Sequence, residues 1–360
     1  MNETESRELR PSYQKYIFRK WMTLLVLLVL LVASVIASIS SGSSGLTVGE
    51  IVRALFGNGT RQSTAIVWQI RMPRITTGII VGAALAMAGC IMQNVLRNPL
   101  ASSSTLGVSQ GASFGAAFAI IVLDAGSQVN ASTSAASAVS ITNPYVVTIC
   151  AFIGGFITTL VILGLSRIVK VAPATMILSG VALSSLFSGA TAIVQYFADD
   201  VKVASVVYWT FGDLGRASWR EIALIAAVTF LAFLFFLFNR WNFNAMESGP
   251  DTAKSLGVPV DRLMLISMLF CSLMAAAATA FVGVISFIGL IAPHMVRRFV
   301  GNDHRFLIPA SMLMGSVILV LADLVSRTIV APSVLPIGAL TSFLGAPVFL
   351  SMLFRRRNAR

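Results

Sequence analysis

Nine stretches of this chain contain no Asp, Glu, Lys or Arg, and each is about as long as a bilayer crossing or longer: residues 21–49, 75–96, 98–123, 125–166, 171–198, 222–239, 263–296, 306–322 and 328–354. A spanning helix needs ~20 mostly apolar residues. Lipid offers no partner for an open backbone group, so each such run must satisfy its own N–H and C=O groups as a helix. The 125–166 run opens with a Gly/Ser/Ala/Thr/Asn-rich stretch and reads as a loop followed by one span from about Tyr145. The 263–296 run is too long for one helix and divides near Gly283 into a full span and a shorter one that ends at Arg297 and Arg298. The expectation is an all-α membrane protein with about ten transmembrane helices. Residues 1–20 form a cytoplasmic N-terminal segment, 21–354 the membrane domain and 355–360 a basic tail.

Charge supports this. Lys, Arg, Asp and Glu make up 11% of 360 residues, against ~25% in an ordinary soluble domain. So few charges exclude a soluble enzyme, a disordered regulator and a nucleic-acid binder. The net charge of +12 lies at the edges of apolar runs, which is the positive-inside pattern and not a nucleic-acid footprint. With the N-terminus in the cytoplasm, ten spans return the C-terminus there, and 18 of the 26 basic residues fall inside. Five basic residues before residue 21 imitate a signal peptide, but the apolar stretch that follows is nearly of membrane length and reads as an uncleaved helix.

The spans hold little chemistry. Intramembrane ionisable groups usually mark ion or proton pathways, and here Asp323 stands almost alone, one turn from Arg327. An i,i+4 pair accounts for it. Cys90, Cys150 and Cys271 read as small buried hydrophobes, with no C-x-x-C spacing. No Cys or His stands at metal-ligand spacing from His294 or His304, and for His294 a structural hydrogen bond is favoured over iron ligation. Neither a cofactor nor a metal is expected in this chain. Gly78-x-x-x-Gly82 and Gly111-x-x-x-Gly115 permit close helix packing.

Residues 241–262 form a cytoplasmic loop longer than most connections in the chain. Ser248 and Gly249 suit a helix cap, Pro250 the first helical position and Asp251 the positive end of the dipole. Gly257 and Pro259 supply the stop. A two-turn surface helix follows, presenting Ala253 and Leu256 as a small apolar face. It suits either a docking knob for a cytoplasmic partner or a helix lying on lipid headgroups. No G-x-x-x-x-G-K-[ST] phosphate loop occurs, so nucleotide-driven work would come from another subunit.

Several motifs in order then carry a resemblance: VWQIRMPR (67–74), RNPLA (97–101), LGVSQGA (106–112), YWTFGDLGRASW (208–219), SLGV (255–258), FIGLIAPHMVRRFVGNDHR (287–305) and LPIGALTSFLGAPVF (335–349). Over nearly its whole length the chain resembles the FecCD-type permeases of bacterial and archaeal ABC importers, which carry iron-siderophores, haem and vitamin B12. The resemblance implies a type II ABC importer permease architecture in the cell membrane. It implies a second permease copy, two cytoplasmic ATPase subunits that hold ATP and Mg, and an extracytoplasmic substrate-binding protein.

Carried over by motif, Asp251, Ala253, Lys254, Leu256 and Gly257 fall in the ATPase-coupling helix. Arg71, Arg74 and Arg327 correspond to outer arginines that meet acidic lobes of the binding protein, with headgroup binding as the other use. Ala172, Pro173, Ala174 and Thr175 resemble the cytoplasmic gate loop. Two departures bear on the subfamily. Val334 stands where many members have Glu, and Ser102-Ser103-Ser104 replaces the usual acidic residue and proline. Iron-siderophore is the expected cargo, with haem or cobalamin as alternatives. An ion-coupled secondary carrier would need paired carboxylates or broken half-helices in matching halves. An intramembrane enzyme would need a nucleophile and base, which the spans do not supply.

Overall fold

The computed structural model describes residues 3–42, 45–125, 143–169, 173–331 and 333–357. The regular structure in them is helical: α1 (Glu3–Ser40), α2 (Val48–Leu55), α3 (Arg61–Ala65), α4 (Met72–Val95), α5 (Val108–Ile121), α6 (Pro144–Val169), α7 (Pro173–Tyr196), α8 (Asp200–Thr210), α9 (Trp219–Phe238), α10 (Arg240–Glu247), α11 (Pro250–Ser255), α12 (Val260–Val282), α13 (Ile288–Val300), α14 (His304–Thr328) and α15 (Ile337–Arg357). Seven helices among the described residues are long and apolar enough to cross a membrane, and Val108–Ile121 and Ile337–Ser351 are shorter apolar helices. The all-α membrane class stands.

Two expected spans are shorter than their uncharged runs. In 98–123 only α5, of 14 residues, is α-helical. Pro99 opens a region where the Ser102 N–H donates to Thr105 Oγ1 (2.8 Å) and the Thr105 hydroxyl donates back to Ser102 O (2.9 Å). Such local bonds compete with the helical ladder. Gly107 at φ 82 then sets the start of α5. In 328–354 the Leu335 N–H donates to Ser326 O at 2.9 Å and folds the chain back on α14. Helix α15 therefore begins only at Ile337. The division near Gly283 holds: α12 stops at Val282, Gly283 takes φ 81, and α13 starts at Ile288. At the N-terminus α1 runs unbroken from Glu3 to Ser40, across residue 20.

Helix α4 is the spine of the bundle. Its apolar stretch, which a π-helical turn at Ile66–Arg71 extends back into α3, is 83% buried, against 17% for α1 and 6% for α7. Small residues make this possible. A Cβ on Gly82 would overlap the Gly315 carbonyl of α14, and one on Gly89 would overlap the Gly289 carbonyl of α13. Gly111 and Gly115 of α5 meet Gly154 and Cys150 of α6 in the same way. With no hydrophobic drive between helices in lipid, close backbone approach of this kind supplies the packing energy.

Gly89→Val is therefore expected to destabilise the protein by about 1–3 kcal/mol through overpacking, read as a lowered unfolding midpoint in detergent. Gly164→Ala, where a Cβ meets nothing within 4 Å, serves as the control. It should be neutral or stabilising by up to ~1 kcal/mol.

Candidate functional site

The expected docking helix forms as its caps require. Gly249 takes φ 109, Pro250 occupies the first turn, and Asp251 lies beside it. At the other end Gly257, at φ 85, donates its N–H to Lys254 O (3.0 Å), and Val258 donates to Ala253 O (3.0 Å). That pair of bonds is the Schellman stop. Asp251 and Lys254 are exposed, and Lys254 lies 3.7 Å from Asp261, a still more exposed partner at the start of α12.

The expected apolar face is corrected. Leu256 is 68% exposed, but Ala253 is fully buried and belongs to the main core cluster. Residues three apart on a regular helix would share a face, but Leu256 lies past the last α-helical residue, Ser255, in the chain that turns away at Gly257. Of the two apolar side chains only Leu256 is held out, beside a helix that Ala253 seats.

Helix α10, just before it, carries polar anchors that sequence reasoning missed. The Asn244 carbonyl oxygen accepts from the His304 N–H at 2.8 Å, and its amide donates to Asp303 Oδ1 at 3.1 Å. The other Asp303 oxygen pairs with Lys20 Nζ at 3.3 Å. Lys20 is 2% exposed, buried against the Tyr16 and Phe306 rings. Burial alone would raise the Asp303 pKa, but the Asn244 amide, the Arg305 N–H and the Lys20 ammonium outweigh it and hold the carboxyl below its ordinary value. Asp303 therefore adds stability near neutral pH that is lost as pH falls through its lowered folded-state pKa. Glu247, three residues on from Asn244, accepts from Asn94 Nδ2 (2.8 Å) and Asn302 Nδ2 (3.0 Å). Beside it lies a polar cleft of about 240 Å³ whose lining includes Gln93, Asn94, Glu247, Arg297 and Asn302.

At the opposite end of the bundle the three expected docking arginines come together. Asp323, 2% exposed, pairs with Arg74 Nε at 2.8 Å and with Arg327 Nε at 2.9 Å. Arg74 also reaches Asp213 at 3.1 Å. Arg327 donates to Ser38 Oγ (2.7 Å) and Ser41 O (3.3 Å), and Arg71 donates to Ile39 O. The i,i+4 pair read from the sequence is present, but it is one side of a larger network that ties α1, α4 and α14 together. With side chains only 6%, 14% and 13% exposed, Arg71, Arg74 and Arg327 are largely internal. Three arginines against Asp213 and Asp323 leave this network itself with a net charge of +1.

Of the expected gate, Ala172 lies outside the described residues. Pro173 and Ala174 open α7, and Thr175 in its first turn is exposed. A second cleft, of about 370 Å³, lies between α5, α7 and α8, where the polar side chains of Gln110, Ser113, Thr191 and Gln195 share the lining with Val206, Val207 and Val284. Cys90 and Cys271 are buried and Cys150 half-buried, all as free thiols. Among the described residues no three His, Cys, Asp or Glu side chains cluster as a metal site.

The comparisons with known proteins agree with this architecture. The FecCD transport family matches residues 30–355. A Methanocaldococcus jannaschii chain named as an ABC transporter permease protein is 52% identical, over 86% of this chain and 87% of the relative. The hemin transport system permease protein of Yersinia pestis is 34% identical, over 86% and 89%. The vitamin B12 import system permease protein of Vibrio vulnificus is 32% identical, over 87% and 90%. A solved inward-facing structure of a metal-chelate type ABC transporter superposes with TM-score 0.79 at 29% identity, covering 92% of this chain and 98% of that one. A helical membrane bundle with its small-residue spine, a capped helix at one end and this match along nearly its full length belongs to the FecCD transport family.

Proposed function

We propose that this chain is the membrane permease of a binding-protein-dependent ABC importer that brings an iron-siderophore-type chelate across the cytoplasmic membrane. The observation that carries this reading is the near full-length superposition on a metal-chelate type transporter. Two copies pair with the pathway between them, and α7, whose apolar stretch is 6% buried, lines it. The hydroxyl and amide groups of the α5–α7–α8 cleft offer weak contacts that a polar chelate leaves easily. Residues 172–175 close the cytoplasmic end. ATP and Mg sit on two separate ATPase subunits that engage α11, both termini lie in the cytoplasm, and this chain carries no cofactor of its own. ATP moves the assembly only because it binds one conformation better than the other. Haem and cobalamin are the alternative cargoes, as the relatives' names suggest.

The test is uptake by proteoliposomes holding the permease, its ATPase and its binding protein. Iron-loaded siderophore should accumulate only with ATP and all three components. Selective uptake of haem or cobalamin overturns the cargo, and uptake driven by an ion gradient without the ATPase overturns the class.

For the outer end we propose that Arg71, Arg74 and Arg327 draw the binding protein in through their summed field more than through direct bonds, since their side chains are already engaged. Electrostatic steering changes encounter rates and is screened by salt. Arg71→Glu with Arg74→Glu should slow association by about tenfold at low salt, and the difference should shrink at high salt. Equal association rates in a surface-binding assay at low salt would remove this role.

A further inference from the structure

The docking helix has little of its own with which to move the membrane body. Among the described residues of α11 only Ala253 is buried, and the Lys254–Asp261 pair at its exit is exposed on both sides. Displacement of α11 must therefore pass through its neighbours, and α10 is the one with directional bonds. Asn244 grips the 303–304 turn, while Glu247 holds Asn94 on α4 and Asn302 just beyond α13. Hydrogen bonds resist sliding in a way that apolar contacts do not.

The cleft beside Glu247 is built unevenly. Three buried side-chain atoms on residues that line it have no hydrogen-bond partner: Gln93 Oε1, Asn94 Oδ1 and Arg297 Nε. Leaving a buried donor unpaired is costly, and more so for a charged group. Arg297 lines the cleft that Glu247 also lines, yet no ion pair joins the two in this structure. Glu247 is exposed at the mouth, so it can change partners without crossing an apolar barrier. An Arg297 Nε without a partner and a carboxylate bound only to neutral amides give Glu247 a second pairing along the same cleft.

We propose that Glu247 is a two-position latch: bound here to Asn94 and Asn302, it passes to Arg297 across the cleft when the ATPase displaces α11. The exchange trades two hydrogen bonds from neutral amides for one ion pair with the guanidinium, so the push on α11 selects between them. It draws α10 toward α13, and with it the end of α4, which Asn94 still ties to Phe243 O of α10 (3.2 Å), and the end of α14 that Asn244 holds. Glu247 is a positioning residue in this scheme, and the scheme rests on α11 being the ATPase-docking helix.

The experiment uses the reconstituted full transporter and reads cargo moved per ATP hydrolysed. Glu247→Gln keeps an acceptor for Asn94 and removes the charge that Arg297 needs, and Arg297→Gln removes the other half. Each should lower the coupling ratio by roughly tenfold, within the usual range of coupling between sites, while ATP hydrolysis continues. The double variant should be no worse than either single one, and the charge swap Glu247→Arg with Arg297→Glu should recover part of the loss. Additive losses, or unchanged coupling in either single variant, overturn the latch.

A spin-label distance covers the case in which a variant fails to fold. Labels at the exposed Trp241→Cys and Phe299→Cys positions, in a Cys150→Ser background, report the α10–α13 separation. A shortening of about 1–2 Å with ATP, typical of helix shifts, is expected, and no change overturns the proposal. Failure of the wild-type permease to hold its ATPase defeats the docking reading and the latch together. Stable docking with hydrolysis but no effect of Glu247→Gln defeats the latch alone.

Discussion

Leu256→Glu is expected to abolish ATP-driven uptake while leaving the permease folded in the membrane. Leu256 is 68% exposed and packs against nothing that the fold needs, so its replacement should change stability by no more than about 0.5 kcal/mol. At a docking surface the same change puts a carboxylate where an apolar anchor enters a partner's pocket. Anchors of that kind cost ~2 kcal/mol or more when removed, which is about thirtyfold in affinity, and a buried charge adds to the loss. The measurement is co-purification of the ATPase with the variant, together with uptake in proteoliposomes and the unfolding midpoint of the permease alone. Ala253→Glu sharpens the result. Ala253 is fully buried, so a carboxylate there should lower the unfolding midpoint itself. If Leu256→Glu transports normally, the docking surface lies elsewhere.

That contrast also shows where sequence reasoning stops. The caps of α11 were legible because each is local: a proline at the first turn, a glycine with positive φ past the last, a stop set by two backbone bonds. The break at Gly283 and the Asp323–Arg327 pair were legible for the same reason. The burial of Ala253 was not, because it depends on what packs beneath the helix and not on helical spacing. Lys20 read as one more cytoplasmic charge, yet its partner Asp303 lies 283 positions away. Arg74 and Asp323 are separated by 249 positions, and nothing in either local sequence announces the other. The shortening of α5 and α15 shows the converse limit: an uncharged run marks what lipid tolerates, while Ser102, Thr105 and Gly107 decide how much of it winds into helix.

Asp323→Ala should cost more stability than truncation of Arg327, one of the two arginines that it holds. Asp323 is buried, and each of its oxygens holds a different arginine, Arg74 at 2.8 Å and Arg327 at 2.9 Å. Removing one partner of a buried pair strands the other charge and typically costs 3–5 kcal/mol. Two features hold the cost toward the lower end of that range. Arg74 keeps Asp213 at 3.1 Å, and Arg327 keeps Ser38 and Ser41. About 3 kcal/mol is the expected loss, seen as a clear drop in the unfolding midpoint in detergent. Arg327→Met should cost less, because Asp323 would retain Arg74 and the methionine stem would still fill the space between α1 and α14. Asp323→Asn should fall between them, since the amide keeps one acceptor oxygen but loses the charge that two guanidinium groups share. If Arg327→Met proves more damaging than Asp323→Ala, the network is held by the arginine's grip on the end of α1 and not by the shared carboxylate.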